Sequence, residues 1–192
     1  MKNKEIIQFG KYYNDAEGKI SAPISWLVIS KTKEEMVLLS EQIIDYLPFS
    51  KDGNNDYLQS DIRKWLNEDF FNTAFSKEEQ AQIIEIDNED KVSLLSIDYY
   101  DTKYFPTFNS LKAKYSDFAK NKTKNIYGKV TTYEYGFWWL KTPNKEHSPS
   151  SEPLDPHIYV YHICNNGKLN AFMRPENKDG VRPVIKIKIR LN

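Results

Sequence analysis

The chain has 192 residues, 40% hydrophobic and 14% aromatic, with 27 basic side chains against 27 acidic ones. That length and apolar content predict one domain over residues 1–192 with a core of several tens of side chains, and they exclude disorder of the whole chain. A net charge of zero offers no global attraction to nucleic acid or to an anionic membrane. The longest fully apolar runs, 26–29 and 137–140, are too short to cross a bilayer. The start, Met1-Lys2-Asn3-Lys4-Glu5, leads into a strand-like stretch without the apolar region of a secretory signal. Cys164 is the single cysteine and cannot form an internal disulfide, so the expected compartment is a reducing one, the cytoplasm.

Residues 5–9 and 23–30 read as strands around a turn at Asp15-Ala16-Glu17-Gly18. The second is apolar on both alternations, which predicts a central strand, and residues 36–39 follow as another. A polar loop over 50–56 precedes the clearest helix, where Ile62, Trp65, Leu66 and Phe70 recur at three-to-four spacing. Ser76-Lys77-Glu78-Glu79 opens a second short helix with a capping box, in which Ser and Glu satisfy the first free amides. A strand over 92–95 and short helices over 96–104 and 115–120 come next. Strand character returns at 136–140, 158–163 and 181–191. In the last of these Ile185, Ile187, Ile189 and Leu191 alternate with Lys186, Lys188 and Arg190, one face buried and one solvated.

Seven motifs run through these elements: Phe9-Gly10-Lys11-Tyr12-Tyr13, Ser25-Trp26-Leu27-Val28-Ile29, Leu38-Leu39-Ser40, Ile62-Arg63-Lys64-Trp65-Leu66-Asn67, Leu94-Leu95-Ser96, Phe137-Trp138-Trp139-Leu140-Lys141-Thr142-Pro143 and Val181-Arg182-Pro183-Val184. In this order the set, spanning roughly residues 6–189, resembles a bacterial family described as domain of unknown function 6273. The resemblance implies an α+β fold of the formylglycine-type, C-type lectin-like kind: a twisted mixed or antiparallel sheet, two main helices and long irregular loops. In proteins of that kind the irregular region and the end strands form a variable binding face, which by analogy comprises 141–157 and 164–180 here. The sequence departs from the family at that face. Lys141-Thr142-Pro143-Asn144 stands where Arg-Ser-Pro-Gly is common, and Ala171-Phe172-Met173-Arg174-Pro175 partly replaces an Asn-rich repeat.

The expected binding residues are therefore Lys141, Asn144, His147, His157, Asn165, Asn166, Lys168, Phe172, Met173 and Arg174. The loop 141–157 carries Pro143, Pro149, Pro153 and Pro156, which lower the entropic cost of one fixed shape. Phe172, Met173 and Arg174 are residue types enriched at protein interfaces. Trp26, Arg63, Trp65, Trp138, Trp139 and Arg182 read as structural. Trp138 and Trp139 must face opposite ways on a strand and are expected in the core, with an aromatic sugar platform as the alternative. Arg63 and Arg182, two of only four arginines, are expected to tie strand ends to a carboxylate or to carbonyls.

Chemistry is not written into the chain. His147, His157 and His162 lack metal-ligand spacing, no calcium ligand set can be assembled, and no metal or cofactor is expected. One cysteine cannot supply the thiol pair that holds copper in formylglycine-generating relatives, so the resemblance implies no activity. An enzyme would need His157, Asp155 and Glu152 to converge in a deep pocket. Residues 101–130 hold seven lysines against Asp101 and Asp117, with interleaved aromatics that keep a nucleic-acid partner open. The leading expectation is a non-enzymatic domain that binds a protein partner through the 141–180 face, as an intracellular inhibitor or accessory protein of a phage or mobile element. The alternative is calcium-independent glycan binding.

Overall fold

A computed structural model describes residues 5–87, 89–99, 105–125, 127–144 and 159–189. Among the described residues, five strands of the first half and the last strand of the chain build one sheet. It holds β1 (Ile6–Tyr13), β2 (Ser21–Lys31), β3 (Glu35–Ser40), β5 (Ile83–Ile84), β6 (Val92–Leu94) and β11 (Pro183–Lys188). Their order is β1-β2-β3-β11-β5, with β6 also on β11, and every pairing is antiparallel. The second sheet holds β4 (Asp45–Pro48), β7 (Trp138–Pro143), β8 (Val160–Ile163), β9 (Leu169–Met173) and β10 (Lys178–Val181), in the order β4-β10-β7-β8-β9. Only β10 and β7 run parallel. The architecture is mixed α+β, the class that the family resemblance implies.

The helix predicted around Ile62 begins with α1 (Asp61–Trp65), capped by the Ser60 hydroxyl, which accepts the Arg63 N–H at 3.2 Å. It passes through a π-helical turn (Leu66–Phe70) into α2 (Phe71–Ala74). Ile62, Leu66 and Phe70 of the stripe read from sequence line its buried side together with Ala74, while Trp65 is half-buried. The Ser76/Glu79 capping box is present, but it opens only the single turn α3 (Lys77–Gln80). Its Glu79 reaches further, and the carboxylate accepts the Gly10 N–H at 2.9 Å. Gly10 lies at φ +66° in a bulge of β1, where a Cβ would meet the Phe75 ring at 2.6 Å. A last short helix, α4 (Asp117–Lys122), falls two residues later than expected. One main helix, not two, therefore stands among the described residues.

The predicted terminal strand 181–191 is also divided. β10 belongs to the second sheet and β11 to the first, and Arg182 sits at the crossing. A local pattern cannot reveal this change of partner, because it falls directly after Val181, the first residue of the predicted strand. The region 164–180, expected to be irregular, instead carries β9 and β10. Two hydrophobic clusters form the core, and each draws on both sheets. One joins Trp26, Leu38 and Ile185 to Trp139, Val160 and Val181, with the main helix over them. The other joins Leu27, Leu39 and Val184 to Trp138, Leu140 and Ile163. Among the described residues no helix is long and apolar enough to cross a membrane.

Candidate functional site

The β8–β9 hairpin carries Asn165, Asn166, Lys168, Phe172 and Met173, and Arg174 follows directly. Cys164 donates its N–H to the Lys168 carbonyl at 2.8 Å and accepts that of Gly167 at 2.8 Å, closing a tight turn. The Asn166 side chain accepts the Lys168 N–H at 2.9 Å. Gly167, at φ +85°, lies so close to Phe108 that a Cβ would fall 1.9 Å from its carbonyl oxygen. The Lys168 ammonium lies 5.9 Å from the Phe108 ring centroid.

Along β9, Asn170 and Phe172 are exposed while Leu169, Ala171 and Met173 are half-buried, the alternation of a strand with one covered face. β9 ends the strand order of its sheet. Phe172 is 42% exposed and its ring meets Tyr159 edge-on at 5.7 Å. The Asn170 side chain accepts the Phe172 N–H at 2.8 Å, so this donor is turned back on its own strand. The Arg174 side chain is 55% exposed and pairs with Glu176 at 3.6 Å. Phe49 and Ser50 both donate to the Pro175 carbonyl, at 2.9 and 3.1 Å, and hold this corner still.

Three expectations for this face need correction. Met173 packs against the first core cluster, because alternation turns it away from Phe172. Asn144 is fully buried: its Nδ2 donates to the Ala171 carbonyl at 2.8 Å and its N–H to the Tyr159 carbonyl at 2.9 Å, bridging the bulge between β8 and β9. It shapes the face and does not present itself there. Lys141 is half-buried in an ion pair with Asp87. Asn165 is half-buried and Asn166 exposed in the turn. His147, His157, Asp155 and Glu152 lie outside the described residues.

The aromatic and arginine motifs are accounted for by contacts inside the fold. Trp138 and Trp139 are both fully buried on opposite faces of the second sheet, donating to the Leu111 and Leu47 carbonyls at 3.2 and 2.9 Å. Neither offers a ring to a sugar. Trp26 donates to the Phe9 carbonyl at 2.7 Å, and Trp65 stacks on Phe70 at 5.5 Å. Arg63 grips the buried Asp90 carboxylate through Nε at 2.9 and 3.0 Å. Burial raises Asp90 while Arg63 opposes that rise. Arg182 donates to the Ser40 and Leu111 carbonyls at 2.7 and 3.4 Å and lies 4.9 Å from the Trp138 ring centroid. Burial pulls its guanidinium down to about 9, still protonated at neutral pH.

One pair was not singled out from the sequence. His162 Nδ1 lies 2.7 Å from Asp179 Oδ2, with both side chains buried and Phe137 stacked on the imidazole at 5.9 Å. The two residues sit on β8 and β10, with β7 between them, so no spacing announces the pair. Among the described residues no three His, Cys, Asp or Glu side chains come close enough to hold a metal. Clefts lie elsewhere: one of about 350 Å³ between the main helix and Asp90, and one of about 280 Å³ beside Trp65, Leu47 and Pro48.

Fold and site together define a sheet-rich α+β domain that exposes Phe172 on its outer strand β9, with Lys168 and Arg174 exposed at the ends of that strand. The chain belongs to the family named domain of unknown function (DUF6273), whose model matches residues 33–189. The match begins after β2, so the motifs at 9–13 and 25–29 precede it. Comparison with curated proteins and with solved structures gives no match.

Proposed function

We propose that this chain is a non-enzymatic binding domain that engages a protein partner through the 141–180 face, acting in the cytoplasm as an inhibitor or accessory protein. One observation carries the reading: Phe172, 42% exposed on an outer strand, stands beside the exposed Arg174 on a corner anchored by backbone hydrogen bonds. An aromatic and an arginine held rigid in this way have the composition of a binding hot spot and little ordering cost. The proposal includes a formylglycine-type, C-type lectin-like ancestry, supported by the mixed sheet, the buried Trp138–Trp139 strand and the hairpin face before the last strands. Binding in place of catalysis is supported by how the ionisable groups are spent. His162–Asp179, Arg63–Asp90 and Lys122–Asp45 are each committed to a pair with a buried carboxylate.

The test is affinity capture from a native lysate with the wild type and a Phe172→Ser/Arg174→Glu double variant, followed by mass spectrometry. Met173 is left intact because it packs on the core. A protein recovered with the wild type alone, and then bound directly when purified, supports the reading. Equal recovery by both folded forms sinks the proposed face. Binding on a glycan array without a protein target supports calcium-independent sugar recognition instead, and the ring involved would then be Phe172 or Tyr159, since both buried tryptophans are out of reach.

A further inference from the structure

A second surface, built by residues 112–135, differs in chemistry from the β9 face. It carries six lysines, no arginine, and only Asp117 and Glu134 as carboxylates, an excess of four positive charges in a chain that is neutral overall. Two of the lysines are paired, Lys114 with Glu134 at 3.1 Å and Lys122 with the buried Asp45 at 2.6 Å. Among the described residues Lys112, Lys120, Lys124 and Lys129 meet no carboxylate partner.

Hydrogen bonds tie the described residues between Thr123 and Thr131 into a turn. The Thr123 hydroxyl accepts the Thr131 N–H at 3.0 Å. Asn125 donates its N–H to the Lys129 carbonyl at 3.0 Å, and its side chain accepts the Tyr127 and Lys129 N–H groups at 2.9 and 3.0 Å. Gly128, at φ +72°, completes the turn. This scaffold projects Tyr127, 79% exposed, between Lys124 and Lys129. Tyr133 is 54% exposed and rests edge-on against Phe137 at 5.7 Å. Beside a hollow of about 270 Å³ that Glu41 and Gln42 also line, Lys112 and Lys114 sit over the Tyr135 ring at 5.3 and 5.7 Å, and Glu41 lowers the local positive excess by one.

We infer that this surface binds single-stranded nucleic acid without sequence preference. Lysines interleaved with exposed aromatic rings are what an unpaired strand requires, ammonium groups for the phosphates and flat rings for the bases. The absence of arginine leaves lysine ammonium groups, which serve a phosphate backbone as point charges. It also removes the bidentate fork that reads guanine, so recognition is of the backbone and the π-faces.

The test is fluorescence anisotropy with a labelled 20-nucleotide oligothymidylate at 50 and 200 mM salt. Contacts from the four unpaired lysines predict a loss of about fifty-fold in affinity over that range. Tyr127→Ala is expected to weaken binding about tenfold through lost stacking, and Lys124→Glu/Lys129→Glu by at least as much. Both changes are on exposed side chains, and unchanged thermal midpoints will show that the variants remain folded. Phe172→Ser/Arg174→Glu should leave the anisotropy unchanged, which separates this surface from the β9 face. No binding by folded wild type, or binding indifferent to salt and to these variants, overturns the inference. So does preference for poly-glutamate over the oligonucleotide, which would make the partner an acidic protein.

Discussion

At the scale of single residues, the buried pair of His162 and Asp179 carries the clearest consequence. Burial pushes the Asp179 carboxyl up from the ordinary aspartate range, and the His162 hydrogen bond opposes this without cancelling it. A carboxyl whose folded value exceeds its unfolded one contributes stability when protonated. That contribution is complete below the unfolded value and lost as pH rises through the folded one. Wild type should therefore gain stability relative to Asp179→Asn as urea titrations move from pH 7 toward pH 4.5. A difference that stays flat or moves the other way contradicts the raised carboxyl. His162→Ala strands the carboxylate and is expected to cost about 3 kcal/mol at neutral pH in the same titration. Cys164 joins no such chemistry, since burial and the nearby Asp179 charge raise its thiol and keep it in the unreactive form.

At the scale of elements, the π-helical turn is where helix and sheet are joined. Asn67 in that turn donates to the Arg63 and Val92 carbonyls at 3.0 and 2.9 Å and accepts the Lys91 and Val92 N–H groups at 2.9 and 3.1 Å. Asn67→Ala would leave the β6 backbone groups without partners and should cost about 3 kcal/mol by chemical denaturation. Loss of the Ser60 cap in Ser60→Ala should cost only about 1 kcal/mol. Equal costs would show that Asn67 is dispensable to the joint. The helical stripe and the capping box were legible because both are written in residues three or four apart. β4 and β9 were not: Asp45-Tyr46-Leu47-Pro48 has poor strand propensity, and the β8–β9 pairing is broken by a bulge that a buried Asn144 fills. The same bulge removed Asn144 from the set of surface candidates, and alternation along β9 removed Met173.

At the scale of the whole molecule, both core clusters contain strands of both sheets, so neither sheet can lose its packing alone. Far-UV circular dichroism and tryptophan fluorescence should report coincident thermal transitions, and separated midpoints would show that the sheets unfold independently. Arg182 is the joint between them. It lies where the chain leaves β10 for β11, bound to the carbonyl that ends β3 and set over Trp138 of the other sheet. Arg182→Ala should lower stability by about 3–5 kcal/mol, roughly 10 °C in the midpoint, through the orphaned carbonyls and the cavity beside Trp138.

What the sequence by itself determined is what neighbouring residues encode. It specified the helix stripe through Ile62 and Phe70, the opposed faces of Trp138 and Trp139, and the alternation of Ile185 and Ile187, while the α+β class followed from the resemblance carried by the whole set of motifs. Periods of two and three to four follow from local backbone geometry and need no knowledge of partners. Only the tertiary structure decided that the chain changes sheets at Arg182, that His162 meets Asp179 across an intervening strand, and that Phe172 faces outward while Asn144 is buried. Each of these depends on which distant strand lies alongside, and that is set by the packing of the whole core and not by any short pattern in the chain.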